Sequence, residues 1–297
     1  MPQPNLSHLA VFAAVARHCS FQRAAAEAGM STSAVSHAIR GLEERLGVSL
    51  FNRTTRSVAL TEAGQRLLER LQPALRDVGD ALEEMNSFRA TPAGTLRINT
   101  SRIAAHLLLA PLILPFLAAY PEIRLEIVED DGLVDIVAGG FDAGIRFDED
   151  VPEDMVGVRF GGPQRFAVVG SPGYFTRWPP PRHPPDLARH ACIRHRFPSG
   201  RIFKWEFRQG SERFELEPAG PATLDMLGLG LRAALDGIGL AFLFEQLAAE
   251  AVADGRLVRV LDDWCPSYPG FMLYYPRQRR MPSALRAFID MVRRPAL

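Results

Sequence analysis

The sequence predicts a multidomain chain of α and α/β class: an N-terminal helical unit carrying a small β-ribbon, a linker helix, and a C-terminal α/β unit in two lobes. Three observations predict it. Residues 1–60 hold short helix-periodic runs separated by capping residues, residues 61–90 hold one heptad pattern, and from Thr95 onward strand-like and helix-like runs alternate. At 297 residues and 47% hydrophobic content the chain is long enough for two or three domains with their own cores. Its formal net charge is zero, so charge has to be read locally. Up to Arg66 there are seven arginines against four glutamates, an excess of three positive charges. That excess is small, so a lone N-terminal unit should bind nucleic acid weakly and gain from being paired.

Leu6, Leu9, Phe12, Ala13 and Ala16 recur at helical spacing and give a first helix. Ser20 is placed to cap a second helix of small residues (Ala24, Ala25, Ala26, Ala28), which Gly29 ends in the left-handed conformation. Ser31 caps a third, in which Val35, Ile39, Leu42 and Leu46 form one buried stripe. Ser33, Ser36, His37 and Arg40 lie on the opposite side, a ridge of hydrogen-bonding side chains near a helix start. Such a ridge suits a helix lying in a DNA major groove. A plain surface helix would share these features, and the residues after the helix decide between the two. Leu50, Phe51 and Asn52, then Val58, Ala59 and Leu60, read as two short strands flanking the basic tip Arg53-Thr54-Thr55-Arg56, suited to backbone phosphates. A ribbon directly after such a helix makes a winged helix-turn-helix.

The stretch AAAEAGMSTSAVSHAIRGLEERLGVSLFNRTTRSVALTEAG resembles the DNA-binding signature of the LysR-type transcriptional regulators, and the likeness runs from about Leu6 to Gly64. Thr32 stands where that family usually carries a longer amide side chain. The resemblance implies double-stranded DNA as partner. Ser31, Thr32, Ser33, Ser36, His37 and Arg40 would then meet bases or their flanking phosphates, and Arg53, Thr54 and Arg56 the backbone or the minor groove.

Thr61 is placed to cap the linker helix, with Glu62 in its first turn, where the helix dipole favours an acid. Leu68, Leu71, Leu75, Val78, Leu82 and Met85 alternate steps of three and four, a heptad seam, and Pro73 should kink it. A seam needs a partner, either this chain's later domain or a second copy. A reader of paired half-sites needs the second copy. The resemblance implies an antiparallel pair, hence a homo-oligomer, dimer or tetramer.

Ala90-Thr91-Pro92-Ala93-Gly94 breaks the heptads and opens the C-terminal domain, 91–297. Strands are expected at Leu96–Asn99, Arg124–Val128, Ala143–Phe147, Arg165–Val169, Lys204–Arg208, Phe214–Glu217, Leu240–Phe242 and Phe271–Tyr275. Helices are expected after Thr100-Ser101 and at Leu133–Val137, Leu227–Leu235, Leu247–Ala253 and Ser283–Val292. The alternation implies a largely parallel sheet. Returning the last strand and helix to the first lobe gives lobe I, about 94–165 and 270–297, and lobe II, about 166–269, joined by two crossings as in periplasmic binding proteins. Ligands of such sheets sit at the carboxyl ends of strands. The candidates there are Thr100, Ser101 and Arg102, then Asp130 and Asp131, then Arg146 and Phe147. Segments such as VDIVAGGFDAGIRF, IRHRFPSG and LRAALDGIGLAFLFE also resemble the effector half of the LysR-type family, and Arg196 and Asp225 complete the candidate effector site. Arg146 has two readings of equal weight: a clamp on a ligand carboxylate, or a salt bridge to Asp142 or Asp148.

Nothing in the sequence points to catalysis. It holds no glycine-rich phosphate loop, no Gly-x-Ser-x-Gly elbow and no zinc-type helix pair, and the spacings of His183, His190 and His195 do not suit metal ligation. No cofactor or metal is expected. Cys19, Cys192 and Cys265 are odd in number and far apart, which reads as reduced structural thiols. The N-terminus lacks the pattern of a secretory signal. The apolar run from Ile103 to Ala119, interrupted by His106, Pro111 and Pro115, reads as too short and broken to span a membrane. A cytoplasmic, DNA-binding, effector-responsive regulator is the expectation.

Overall fold

The computed structural model describes residues 6–53, 58–86, 91–277 and 281–294, and the chain divides into two compact units, Met1–Arg89 and Ala90–Leu297. The first holds α1 (Leu6–His18), α2 (Phe21–Ala28), α3 (Thr32–Leu46), β1 (Phe51–Arg53), β2 (Val58–Leu60) and α4 (Glu62–Asn86). The expected caps are formed. Ser20 Oγ accepts the Arg23 N–H at 3.3 Å and Ser31 Oγ accepts the Ala34 N–H at 3.2 Å. Gly29 sits at φ 62° and donates to the Ala25 and Ala26 carbonyls. Replacing either serine by alanine should cost about 1 kcal/mol. Phe12, Val15, Val35, Ile39, Leu42 and Leu50 are fully buried in one core. The α3 stripe ends earlier than expected: Leu46 is 46% exposed, because Leu50 and Phe51, arriving from the ribbon, fill the core in its place.

Thr61 Oγ1 accepts the Gly64 N–H at 3.0 Å at the start of α4, and the helix continues through Pro73. Leu71 is buried, and Leu67, Leu68 and Leu75 pack on the same core as α1 to α3. The early part of the heptad seam therefore serves its own unit. Val78 is 49% exposed, while the side chains of Leu82 and Met85 lie outside the described ones.

The second unit begins with β3 (Gly94–Thr100). A helical run comes next: α5 (Arg102–Ala104), a π-turn (Ala105–Leu109) and α6 (Ala110–Ala119). After it lie β4 (Ile123–Glu129), β5 (Ala143–Phe147), β6 (Met155–Phe160), β7 (Gln164–Gly170), α7 (Pro172–Phe175), β8 (Cys192–His195) and the hairpin β9 (Trp205–Gln209) and β10 (Glu212–Leu216). The chain continues through β11 (Ala222–Leu224), α8 (Leu227–Leu235), β12 (Leu240–Phe244), α9 (Glu245–Ala253), β13 (Val258–Val260), β14 (Ser267–Tyr268), β15 (Phe271–Pro276) and α10 (Ser283–Val292).

One sheet has the order β4-β3-β5-β15-β6, and the other β11-β8-β12-β7-β13 with β14 also on β7. The sheets are mixed rather than largely parallel. β3 runs parallel to β4 and β5, and β8 parallel to β11 and β12, but β15 and β7 run antiparallel to their neighbours. The reason is the double crossing. The chain leaves the first sheet after β6 and returns as β15, entering against the direction of β5. The crossings touch: a Cβ on Gly270 (φ 96°) would lie 2.1 Å from the Gly162 carbonyl oxygen, so only glycine fits there. The helix expected at Leu133–Val137 is a set of turns. Asp135 Oδ1 takes the Val137 and Ala138 N–H groups, each at 2.9 Å, and this local bonding competes with a helix of so few residues.

Alternation along the central strands sorts the cores. Phe166 and Val168 of β7 and Phe242 and Phe244 of β12 face the core shared with the first sheet, while Ala167, Val169, Ala241 and Leu243 face α8 and α9. By length and composition Arg102–Ala119 does match a membrane-crossing helix, against the expectation. Its inner face nevertheless packs as a core helix does, with Ala104, Leu108, Leu109 and Phe116 buried in the shared core.

Burial pushes the Cys192 thiol up to about 12 and the Cys265 thiol up to about 11, whereas Cys19 is exposed. A thiol-disulfide reagent at mildly alkaline pH is therefore expected to modify one cysteine of the folded chain and all three after unfolding. Titration of free thiols with and without denaturant reads this directly, and rapid loss of all three in the native state would contradict it.

Candidate nucleic-acid interface and ligand cleft

In the first unit, α3 presents Ser31, Thr32, Ser33, His37 and Arg40 exposed and Ser36 half-buried. Val35, Ala38, Ile39 and Leu42 hold the opposite side in the core. Ser31 Oγ also lies 2.9 Å from Ser33 Oγ, which ties the first turn's hydroxyls together. The ribbon pairs Phe51 with Leu60, Asn52 with Ala59 and Arg53 with Val58. Thr54 and Arg56 lie outside the described residues.

Glu43 joins helix and ribbon. Its Oε1 accepts the Leu50 N–H at 2.8 Å and the Phe51 N–H at 3.3 Å, and its Oε2 accepts from Arg53 Nη2 at 2.8 Å. The Arg53 guanidinium also lies over the Phe21 ring, 4.7 Å from its centre. Arg53 is thus drawn onto the body of the unit. Sequence reasoning missed Glu43, although its position on α3 just ahead of a β-strand with unpaired N–H groups is the kind of place where a carboxylate works as an acceptor.

In the second unit a cavity of about 540 Å³ opens between the two sheets. One side is built by Ser101, Arg102, Ile103 and His106, by Glu129, Asp131 and Leu133, and by Arg146, Phe147 and Asp150. The other is built by Phe166, His195, Phe197, Phe203 and Glu206, by Asp225, Met226, Leu227 and Gly228, and by Phe244, Leu247 and Tyr268. Of the residues singled out in the sequence, Ser101, Arg102, Asp131, Arg146, Phe147 and Asp225 therefore come together. Thr100, Asp130 and Arg196 do not line the cavity. Thr100 is fully buried. Asp130 turns its Oδ1 to the Gly132 N–H at 2.8 Å. Arg196 is exposed and pairs as an isolated bridge with Ile202, so the strand's alternation gives the cavity to its neighbour His195.

Among the described residues Arg146 does not form the expected salt bridge to Asp142 or Asp148. It is 4% exposed, and its hydrogen bonds all go to uncharged oxygens: the Ile145 carbonyl (2.7 Å), Asn99 Oδ1 (2.6 Å), and the Asp130 and Gly132 carbonyls (2.9 Å each). Its Nε has no partner. Arg102 pairs with Asp131, whose Oδ1 also accepts the Arg102 backbone N–H at 2.9 Å. Burial holds His195 below the usual imidazole range, against the opposing pull of Asp131 and Asp225.

The aromatic side chains form a ladder across the two lobes. Phe271 meets Phe147 at 4.2 Å, Phe147 meets Phe244 at 5.7 Å, Phe244 meets Phe166 at 4.3 Å and Phe166 meets Phe203 at 5.4 Å. Sequence reasoning missed most of it, because the facing of Phe166 and Phe244 comes from a register that no local pattern states. Among the described residues no group of His, Cys, Asp and Glu side chains gathers as a metal site would.

Residues 6–65 match the family model "Bacterial regulatory helix-turn-helix protein, lysR family", and residues 89–296 match "LysR substrate binding domain". The HTH-type transcriptional regulator YcaN of Escherichia coli, itself described as uncharacterized, is 47% identical over 97% of this chain and 95% of its own. The HTH-type transcriptional regulator PgrR of Escherichia coli is 39% identical over 99% and 98% of the two chains. Among solved structures, the LysR-type regulator CrgA of Neisseria meningitidis superposes with TM-score 0.61 at 30% identity, covering 98% of each chain. Full-length AphB of Vibrio cholerae, at 24% identity and TM-score 0.67 over 97% and 98%, shares the fold. A helix-turn-helix with its wing, followed by a two-lobed domain around a cavity and matched by both family models, makes this chain a member of the LysR family of transcriptional regulators and not an enzyme.

Proposed function

We propose that the exposed ridge of α3 reads double-stranded DNA, and that a small molecule held in the cavity modulates DNA affinity or bending. The observation that carries this is the pairing of a polar, outward-facing α3 with a ribbon fixed to it by Glu43. Ser31, Thr32, Ser33, Ser36, His37 and Arg40 meet base edges or adjacent phosphates. Thr54 and Arg56 reach the backbone from the wing tip, and Arg53, held by Glu43, steadies the wing beside them. Ser36→Ala and His37→Ala should change the preference between related sequences, each by about 1–3 kcal/mol, whereas Arg56→Ala should weaken all duplexes alike and lower the salt slope by about one. Titrations of the duplex just upstream of the gene against a scrambled one, at several salt concentrations, separate the two patterns. Equal losses on both duplexes for every variant would refute the reading.

Members of this family form oligomers, and two surfaces favour that here. α4 leaves Val78 exposed beyond the part of its seam used internally, and α6 leaves Leu114 78% exposed beside Pro111 and Pro115. We infer a homodimer along α4, with assembly to a tetramer where a second apolar face is used. Val78→Glu is expected to lower the mass measured by light scattering, and an unchanged mass would count against α4 pairing. The place of action is the cytoplasm, where the DNA is.

A further inference from the structure

The cavity of a small-molecule-responsive regulator states the chemistry of its ligand through the charges it leaves unspent. Five carboxylates line it, on Glu129, Asp131, Asp150, Glu206 and Asp225, against two guanidinium groups, on Arg102 and Arg146. Both features that would draw an anion are already used. The N-terminus of the helical run is served by this chain's own Asp131, which takes the Arg102 N–H and pairs with its guanidinium. Ser101 Oγ is spent on the Ala104 N–H. Arg146 spends both Nη atoms on neutral oxygens, one through Nη1 and three through Nη2, and its buried Nε has no partner. Asp150 and Asp225 form no hydrogen bond or ion pair among the described residues. Between these acids runs the aromatic wall of Phe147, Phe166, Phe203 and Phe244.

We propose that the cavity takes an organic cation with a ring-sized apolar body, its ammonium facing Asp150 and Asp225 and its ring lying on the phenylalanine ladder. Two physical effects favour this over a carboxylate. Five carboxylates around one cavity, with fewer guanidinium groups to offset them, attract a cation and repel an anion. Aromatic faces add a further attraction for positive charge. A neutral oxygen on the ligand body would meet the spare Nε of Arg146, the second feature that marks the cavity as built for an occupant. The proposal rests on the cavity being the regulator's ligand site.

Calorimetric titration of the full chain with compounds matched in size and differing in charge tests both. One series is tyramine, tyrosol and phloretic acid; the other is tryptamine, tryptophol and indolepropionate. The amine of each series is expected to bind at least about ten-fold more tightly than the acid, with the alcohol between them. In the double variant Asp150→Asn/Asp225→Asn the amine should lose at least about five-fold, while the alcohol stays within about two-fold. Thermal unfolding of the double variant close to that of the parent keeps the comparison fair. If the acids bind as well as the amines or better, the charge assignment is overturned while the cavity stands as the ligand site. If none of the six compounds binds, both fall. If the amines bind but the double variant leaves them unchanged, the seat of the ammonium is wrong and the proposal fails.

Discussion

Glu43→Ala is expected to lower affinity for a specific duplex by more than ten-fold while the chain remains folded. The carboxylate satisfies two backbone N–H groups at the start of β1 and the Arg53 guanidinium at once. Removing it leaves two N–H groups short of an acceptor, at roughly 1–3 kcal/mol each where they are shielded from water. Leu50 and Phe51 are buried, so these donors have little access to solvent in exchange. The ribbon then loses its fixed angle to α3, and the wing and the recognition helix can no longer enter adjacent grooves without the entropic cost of ordering themselves. Glu43→Gln retains an acceptor oxygen for the N–H groups but loses the charge that holds Arg53, so its loss should be smaller. Anisotropy titrations with labelled duplex, read beside thermal unfolding, check the order parent, Gln, Ala. Equal affinity for all three would mean that the ribbon does not matter to binding.

Arg146→Leu should be the most destabilising single change in the second unit. The leucine fills part of the volume but leaves Asn99 Oδ1 and the Asp130 and Gly132 carbonyls without their shared donor. Each buried acceptor left without its donor costs roughly 1–3 kcal/mol, and in a domain of this length a total of about 3 kcal/mol moves the midpoint of thermal unfolding down by roughly 10 °C. Arg146→Lys offers a compact ammonium in place of a planar fork and should rescue only part of the loss. Asp131 and Leu133 of the same loop line the cavity, so both variants should weaken ligand binding as well. Scanning calorimetry gives the first effect. A midpoint within a degree or two of the parent would show that the network is dispensable.

Much of this architecture is legible from local patterns. The caps at Ser20, Ser31 and Thr61, the strand at Val58–Leu60, and the helices Leu227–Leu235 and Ser283–Val292 stand where spacing and turn chemistry put them, and the first ribbon strand, expected at Leu50–Asn52, lies one residue later at Phe51–Arg53, taking Arg53 from the tip into the strand. The α3 ridge is legible for the same reason, since one helix decides its own exposed side. What escapes depends on contacts between distant segments. The antiparallel entry of β15 comes from a crossing at Gly162 and Gly270 rather than from the strand's own sequence. Leu133–Val137 has a helix-like spacing that Asp135 overrides by bonding locally. Arg146 stands at the expected strand end, but its partners lie on β3 and on the loop after β4, which only the folded register brings to it. His195 and Phe197 line the cavity and Arg196 between them does not, because alternate residues of an extended segment face opposite sides.

Sequence recognition by the outward side of α3 is the centre of the function proposed for this chain. The most direct measurement is the ratio of affinities of the parent and the Ser36→Ala/His37→Ala chain for the duplex upstream of the gene over a scrambled duplex, at fixed salt. The expected ratio is well above one for the parent and falls by at least about ten-fold in the variant, with affinity for the scrambled duplex little changed. A ratio that survives the substitutions, or a parent that does not distinguish the two duplexes, would contradict it.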